Sequence, residues 1–474
     1  MYSHSLIKKP FIVLVVLAIA FLLTAPWTSG YCRSAFDSDD DTVDVFDEDE
    51  SVDDSHPSAD TADETPGGAE TPGLATRFIK DATFTLGYQF SYGTTGDPAI
   101  VTNYGYLRQE SEVLFGGNYF LRFDGKLSLV PRTDHRADAK DRDLFIDARL
   151  RELYLQAGYD DFSIKLGNQI IVWGKADTSA ITDVVSPRDL SEFIFVDLED
   201  SRFGQFMLSA DIYRDSLNAF FFVAPYPDTD EEPDGDTRYD RKLPGMDMFL
   251  VRREEPQFGD FEYGIRLDKN YSKTEVSLMA GRFFVNSPVY HHRGDFENAM
   301  PVVIKGYPDY GMAGAGVTYA MQSILLKFEA AYKSPISLQG MGVNSSYRQV
   351  ESEIMDLAAG MEYNANGRYL MTFEIANRHI FGDMAGLSAF DRDSTSFYYT
   401  FTTDFWNQTL ALEYVFYYRI NDRSLFHDAQ LTYDLTDSIE IKTSFAFFDI
   451  PDEESLLWQY REEDRITFEV QCFF

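Results

Sequence analysis

The segment that decides the fold is Arg465-Ile466-Thr467-Phe468-Glu469-Val470-Gln471-Cys472-Phe473-Phe474, at the end of the sequence. Arg465, Thr467, Glu469 and Gln471 alternate with apolar residues, as in a β-strand whose successive side chains point to opposite faces. The segment therefore predicts a strand with one wet face, one apolar face and a terminal aromatic residue.

The same alternation recurs through most of the sequence after Thr76. It is clearest in Phe261–Asp268, Ile324–Lys333, Tyr369–Asn377 and Ile439–Phe447. Short turns, such as the one at Gly116-Gly117, separate some of these strands. Longer polar connections separate the others: Pro131–Asp143, Trp173–Phe203, Pro225–Gly259, Asn286–Tyr310, Ser334–Glu351, Ile380–Thr395 and Pro451–Glu463. Alternating short and long connections predict an all-β fold, a transmembrane antiparallel β-barrel of about 18 strands, or about 16 if strands merge.

Composition narrows the class of protein. Aromatic residues make up 15% of the chain and the mean hydropathy is -0.28, which disfavours a helical membrane protein. A soluble sandwich would alternate in the same way, but it would not need long connections gathered at one end. The formal net charge of -37 disfavours nucleic acid as a partner, because phosphates need a basic face. The two cysteines provide no disulfide framework, and no cofactor is predicted.

The N-terminal part reads as two segments that precede the barrel. Residues 1–30 carry Lys8 and Lys9 before an apolar run, which predicts a signal peptide; an uncleaved membrane anchor is the alternative. Residues 31–76 are acidic and poor in apolar residues, which predicts a disordered tail. A solvated linker is favoured over a cation-binding or partner-binding arm. The barrel is predicted over residues 77–474.

One long segment departs from the strand pattern. Gly167–Val172 begins as a strand, but Gly174 interrupts it and Pro187 removes a backbone donor. A segment of this length, starting from the wall, can fold into the lumen, so we predict an inward loop that forms a pore constriction. The candidate constriction residues are Trp173, Lys175, Asp177, Asp183, Arg188, Asp189, Asp200 and Arg202. They could contact solute, or pair with one another and with the wall to fix the loop.

Two resemblances support a barrel of the outer membrane. The segments Trp173–Asp177, Asp183–Asp189 and Glu199–Arg202 resemble a segment of a porin-like outer-membrane family of unknown function in Gram-negative bacteria. That family commonly has Glu and Ser where this chain has Lys175 and Ala176. The terminal strand is similar to the signal that directs barrel insertion, which implies that Phe474 is read by the barrel-assembly machinery.

Catalysis and metal binding find little support in the sequence. His291-His292 lies in a polar loop, where a lone histidine pair is more often solvated than metal-bound. The acidic run from Asp228 to Asp236 has calcium-like chemistry, but Pro233 breaks the spacing of a calcium loop. A barrel phospholipase would need a Ser–His pair at the outer rim, and no spacing in the sequence singles one out. We therefore expect the protein not to be an enzyme.

The leading hypothesis is an outer-membrane channel that passes an unknown small solute through a constricted aqueous lumen. A transporter for hydrophobic molecules is the alternative, suggested by apolar residues of the same segment: Ile181, Val184, Val185, Phe193, Ile194, Phe195 and Val196. A barrel that sheathes a periplasmic partner is a third hypothesis. The expected surroundings are outer-membrane lipid and lipopolysaccharide, and the class allows oligomers.

Overall fold

The computed structural model describes most of the chain after residue 78. The described residues are 79–96, 99–131, 144–192, 195, 200–233, 239, 245–297, 300–341, 347–365, 367–387, 390–455 and 457–474. The predicted signal peptide and acidic tail lie outside them, as do Phe193, Ile194 and Val196 of the apolar set. Among the described residues, no helix is long and apolar enough to cross a membrane.

The described residues form twenty-one strands and two short 3-10 turns, Met246–Met248 and Trp458–Tyr460. The strands are β1 (Ile79–Gly93), β2 (Ile100–Phe115), β3 (Tyr119–Pro131), β4 (Leu144–Gly158), β5 (Phe162–Gln169), β6 (Gln205–Arg214), β7 (Leu217–Ala224), β8 (Leu250–Glu254), β9 (Glu262–Asn270), β10 (Thr274–Phe284), β11 (Val289–Glu297), β12 (Met300–Gly306), β13 (Asp309–Met321), β14 (Ile324–Met341), β15 (Tyr347–Asn364), β16 (Tyr369–Phe381), β17 (Asp393–Phe405), β18 (Leu410–Arg419), β19 (Leu425–Thr436), β20 (Ile439–Asp449) and β21 (Arg465–Phe473).

Eighteen of these strands form one closed antiparallel barrel, which confirms the predicted fold class. Each strand pairs with the next along the wall, and β21 returns to pair with β1 from Thr85↔Phe473 to Gly93↔Arg465. The terminal segment is therefore the strand that closes the wall. Closure leaves no barrel strand with a free edge, as a lipid environment requires.

The connections differ from the prediction at one end of the barrel. The predicted loop Ser334–Glu351 is mostly strand, because β14 continues to Met341 and β15 begins at Tyr347. A register shift between Lys333 and Ile336 takes up Pro335, which has no backbone N–H to donate to the ladder. In addition, the connections after β7 and β10 contain β8, β11 and β12, which form a separate three-stranded sheet.

The two faces of the wall have opposite chemistry. On β14, Phe328 is 51% exposed on the outer face, while Glu329 and Lys333 face inward and are each 4% exposed. Large apolar side chains are exposed around the outside: Leu86, Leu155, Leu166, Leu208, Leu278, Phe328, Ile375 and Phe447. Exposed aromatic residues cluster near the short turns: Tyr119, Tyr159, Phe162, Tyr271, Tyr319, Phe405, Trp406 and Tyr433. An apolar band with an aromatic girdle is the exterior of an outer-membrane barrel.

Candidate pore constriction

The inward loop is the connection of residues 170–204 between β5 and β6. Glycines near its two ends let it leave the wall beside β4. Gly167 has φ +136°, and a Cβ there would lie 2.2 Å from the Leu153 carbonyl oxygen. A Cβ on Gly204 would lie 2.2 Å from the carbonyl oxygen of Arg151. The close approach of the two backbones therefore excludes larger residues at both positions.

Trp173 fixes the first part of the loop to the wall. It is fully buried, and its ring meets Phe222 at 5.6 Å and Phe283 at 5.7 Å in edge-on contacts. Gly264 makes room for it, since a Cβ there would lie 2.5 Å from the indole. Each aromatic pair of this kind is worth about 0.5–1.5 kcal/mol beyond its buried area. Trp173 therefore fills space between the loop and the wall.

Apolar residues of the loop join the same cluster. Ile181 and Val185 are buried with Trp173, and Val184 packs against them. Their partners include Met279 on β10, an inward-facing wall residue. The sequence suggested that these residues line a hydrophobic path; in the structure they pack the loop against the wall instead.

The middle of the loop is held by carboxylates of distant wall strands. Both oxygens of Glu329 on β14 accept hydrogen bonds from the loop, including the backbone N–H groups of Lys175 at 2.6 Å and Ala176 at 2.8 Å. Glu374 on β16 accepts the N–H of Asp177 at 2.9 Å. Because β16 is eight strand-to-strand steps from β5 in an 18-stranded wall, the loop crosses the lumen.

Several predicted constriction residues form ion pairs. Lys175 Nζ lies 2.6 Å from a Glu275 carboxylate oxygen, and Asp177 lies 2.6 Å from Lys327 Nζ. Asp183 is buried and accepts hydrogen bonds from Arg188 at 2.7 Å and Arg202 at 2.9 Å. These last contacts join the middle of the loop to its C-terminal end at Arg202. The pairing that the sequence left open is therefore present for these residues.

The connection that follows β7 also holds the loop, near Asp189. That residue pairs with Arg149 on β4, which also reaches Glu231 at 3.2 Å. Asp230 accepts the backbone N–H of Arg188 at 2.8 Å, and the Glu231 carbonyl accepts the N–H of Leu190 at 2.9 Å. Asp230 and Glu231, two acids of the run with calcium-like chemistry, therefore bind groups of the protein.

Asp200, near the C-terminal end of the loop, forms ion pairs with three cations of the wall. Its oxygens lie 2.6 Å from Lys126 on β3, 3.2 Å from Arg151 on β4 and 3.4 Å from Arg108 on β2. Burial alone would raise the pKa of Asp200, but the three cations outweigh it and lower that pKa to about 2. Asp200 is therefore ionised at any physiological pH.

An open cavity of about 280 Å³ remains between the loop and the wall formed by β1–β4, β20 and β21. The loop residues that line it are Asp189, Glu192, Phe195, Asp200 and Phe203. Its lining carries both signs of charge: Arg108, Lys126, Arg149, Arg151 and Lys442 with Glu110, Asp147, Asp189, Glu192, Asp200 and Glu469. Tyr104, Tyr106 and Phe473 add aromatic surface. The cavity is therefore polar and is lined by charges of both signs.

The sequence identified the loop residues but not the wall residues that hold them. All eight predicted positions lie in the inward loop, from the buried Trp173 to the paired Arg202. Glu329, Glu374 and the basic residues of β2–β4 were missed. In the sequence these residues are marked only as charges on the polar face of an alternating strand. That pattern places them in the lumen but does not show which residues they contact.

The histidine pair gives no sign of a metal site. His291 and His292 lie on β11, and the Nδ1 atom of His292 is 2.8 Å from the Val302 carbonyl oxygen. Within the part of the chain that the structure describes, no cluster of His, Cys, Asp or Glu is arranged to hold a metal ion.

No known family model matches the sequence, and no curated protein matches it. Solved structures do match the fold. Pseudomonas aeruginosa OccK8 (OprE) is 10% identical, with 83% of this chain and 97% of that chain covered and a TM-score of 0.51. Acinetobacter baumannii OccAB1 is 8% identical, with 85% and 98% covered and a TM-score of 0.51. A BenF-like porin from Pseudomonas fluorescens Pf-5 is 9% identical, with 83% and 98% covered and a TM-score of 0.50.

At these identities the likeness concerns the fold, which is that of porin-like outer-membrane barrels. The closed 18-stranded wall and its apolar exterior agree with it. The chain is an outer-membrane β-barrel of a Gram-negative bacterium, as the sequence predicted.

Proposed function

We propose that the protein is a passive channel through which small hydrophilic solutes diffuse across the outer membrane. The observation that carries this proposal is the polar cavity of about 280 Å³ left open beside the inward loop. A loop anchored on both sides of a lumen sets the size limit of the passage. Nothing in this mechanism requires a catalytic group.

The predicted constriction residues take different roles in this proposal. Asp189 and Asp200 line the cavity and provide fixed charge to passing ions. Trp173 and Asp183 are buried and narrow the lumen by holding the loop in position. Lys175 acts in the same way through its ion pair with Glu275.

Two alternatives are less well supported. A transporter for hydrophobic molecules needs an apolar path, but Ile181 and Val185 are buried against the wall while charged residues line the cavity. A sheath for a periplasmic partner needs an open lumen, and the loop occupies much of that space.

Single-channel conductance in planar bilayers tests the proposal. We expect the folded protein to conduct, and deletion of Thr178–Ser186 to raise the conductance, because that segment crosses the lumen. A heat-induced gel shift verifies that each variant is folded. If folded wild-type protein and folded deletion variant both fail to conduct, the channel proposal is wrong.

A further inference from the structure

The Glu329 carboxylate is bound as a ligand would be bound. Its Oε2 atom accepts the N–H groups of Lys175 at 2.6 Å and Ala176 at 2.8 Å. Its Oε1 atom accepts the N–H of Thr182 at 2.7 Å and the hydroxyl of the same residue at 2.6 Å. Glu329 is 4% exposed, so this carboxylate has exchanged water for four donors of a single loop.

Converging backbone N–H groups form anion-binding concavities known as nests. Three N–H groups and one hydroxyl of the 175–182 segment converge in this way on one carboxylate. Glu374 takes two further donors of the segment, the N–H of Asp177 and the hydroxyl of Thr178 at 2.7 Å. Within the described residues, Glu329 therefore receives more donors of the segment than Glu374 does.

We propose that the 175–182 segment is a binding site for a small carboxylate, that Glu329 is its resident ligand, and that this contact is required, beside the other contacts of the loop, to hold the segment across the lumen. The inference rests on the proposed channel function for its conductance readout only. The ligand class is a monocarboxylate the size of acetate or formate, since that is the part of Glu329 enclosed by the donors.

The donor pattern explains why a carboxylate is needed. An ionised carboxylate only accepts hydrogen bonds, and here each oxygen accepts two. In a Glu329→Gln variant, one oxygen becomes an NH₂ group. Turned toward Lys175 and Ala176, that NH₂ group faces two backbone N–H donors. Turned toward Thr182, it still faces the backbone N–H of that residue, although the hydroxyl can rotate to accept. The isosteric variant should therefore release the loop although it fits the same space.

The experiment compares full-length wild type, Glu329→Gln, Glu329→Ala and the control Asp211→Asn in planar bilayers. Asp211 is a wall carboxylate whose described polar contacts, Ser163 and Lys165, belong to β5 rather than to the loop. Both Glu329 variants should raise conductance at least about twofold, because the loop sets the narrowest section. The control should stay at the wild-type value.

Chemical rescue separates the nest from a merely structural role. Glu329→Ala leaves space for a free carboxylate, whereas Glu329→Gln does not. Replacing chloride by acetate or formate should return Glu329→Ala toward wild-type conductance, relative to wild type in the same salt, and should leave Glu329→Gln open. The nest proposal is overturned if the Glu329 variants are folded but keep wild-type conductance. It is also overturned if neither acetate nor formate lowers the conductance of Glu329→Ala.

Trypsin provides a readout that does not depend on conduction. Lys175 lies in the nest, so cleavage after it should be slow in wild type, fast in Glu329→Ala, and slow again in that variant with acetate. If the protein does not conduct but this cleavage pattern holds, the channel function is wrong and the nest is supported. Equal cleavage in all variants overturns the nest.

Discussion

Replacing Asp200 with Asn tests whether the loop sets ion preference. Asp200 is the acid that faces Lys126, Arg151 and Arg108 at 2.6 to 3.4 Å, and it lines the open cavity. Asn keeps the shape of the side chain and one acceptor oxygen but removes the charge. Trp173 and the contacts with Glu329 and Glu374 should keep the loop in place, while the cavity gains one net positive charge.

The size of the effect follows from Coulomb's law. An ion passing about 5 Å from this site in a water-like dielectric interacts with a unit charge by about 0.8 kcal/mol. Screening at about 0.1 M salt reduces this to about 0.5 kcal/mol. The change raises the energy of a cation and lowers that of an anion by this amount. The ratio of cation to anion permeability should therefore fall by about fivefold.

The assay is the reversal potential of single channels under a salt gradient, with Asp211→Asn as the control. Because the cations hold the pKa of Asp200 near 2, below its unfolded value, its charge is present above that range and lost only as pH falls through about 2. The difference between wild type and Asp200→Asn should thus be constant from pH 8 to pH 4. An unchanged permeability ratio in the folded variant would refute a role for Asp200 in the passage.

Three further changes test other parts of the argument. Trp173→Ala should loosen the loop, at a cost of about 3–5 kcal/mol for a buried aromatic residue, and increase open-channel noise in bilayers. Deletion of Phe474, whose backbone pairs with Phe84 at the wall closure, should slow assembly, measured as accumulation of the heat-modifiable form; normal kinetics would remove that role. Removal of residues 31–76 should leave assembly and conductance unchanged if they are a linker, whereas a large gain in conductance would indicate a plug.

The barrel could be predicted because its rules are local. Side chains of a strand alternate with a period of two, so Ile324–Lys333 revealed its wet and apolar faces without any partner strand. Short turns are marked by residues such as Gly116 and Gly117, both with positive φ. The prediction of a long polar connection was wrong at Ser334–Glu351. A bulge lets the strand continue past Pro335, and a bulge depends on the neighbouring strand.

The candidate site could be predicted only in part. An irregular segment with Gly174 and Pro187 between strands is visible in sequence, so the loop residues were found. Their partners were not, because the strands that face one another across a lumen depend on strand number and stagger around the whole wall. Glu329 lies far from Lys175 in sequence and meets it only because the barrel closes.

The two sides of the loop show how an irregular segment is held at a defined position inside a barrel. On the side of β14 and β16, backbone N–H groups of the loop donate hydrogen bonds to Glu329 and Glu374 of the wall. On the side of β2–β4, the loop acids Asp189 and Asp200 form ion pairs with arginines and Lys126 of the wall. Turning the loop around would set acids against carboxylates and donors against cations, which is costly because Glu329, Glu374 and Asp189 are buried. The charges of the wall therefore select one orientation of the loop, and that orientation leaves the open cavity on the side of β1–β4.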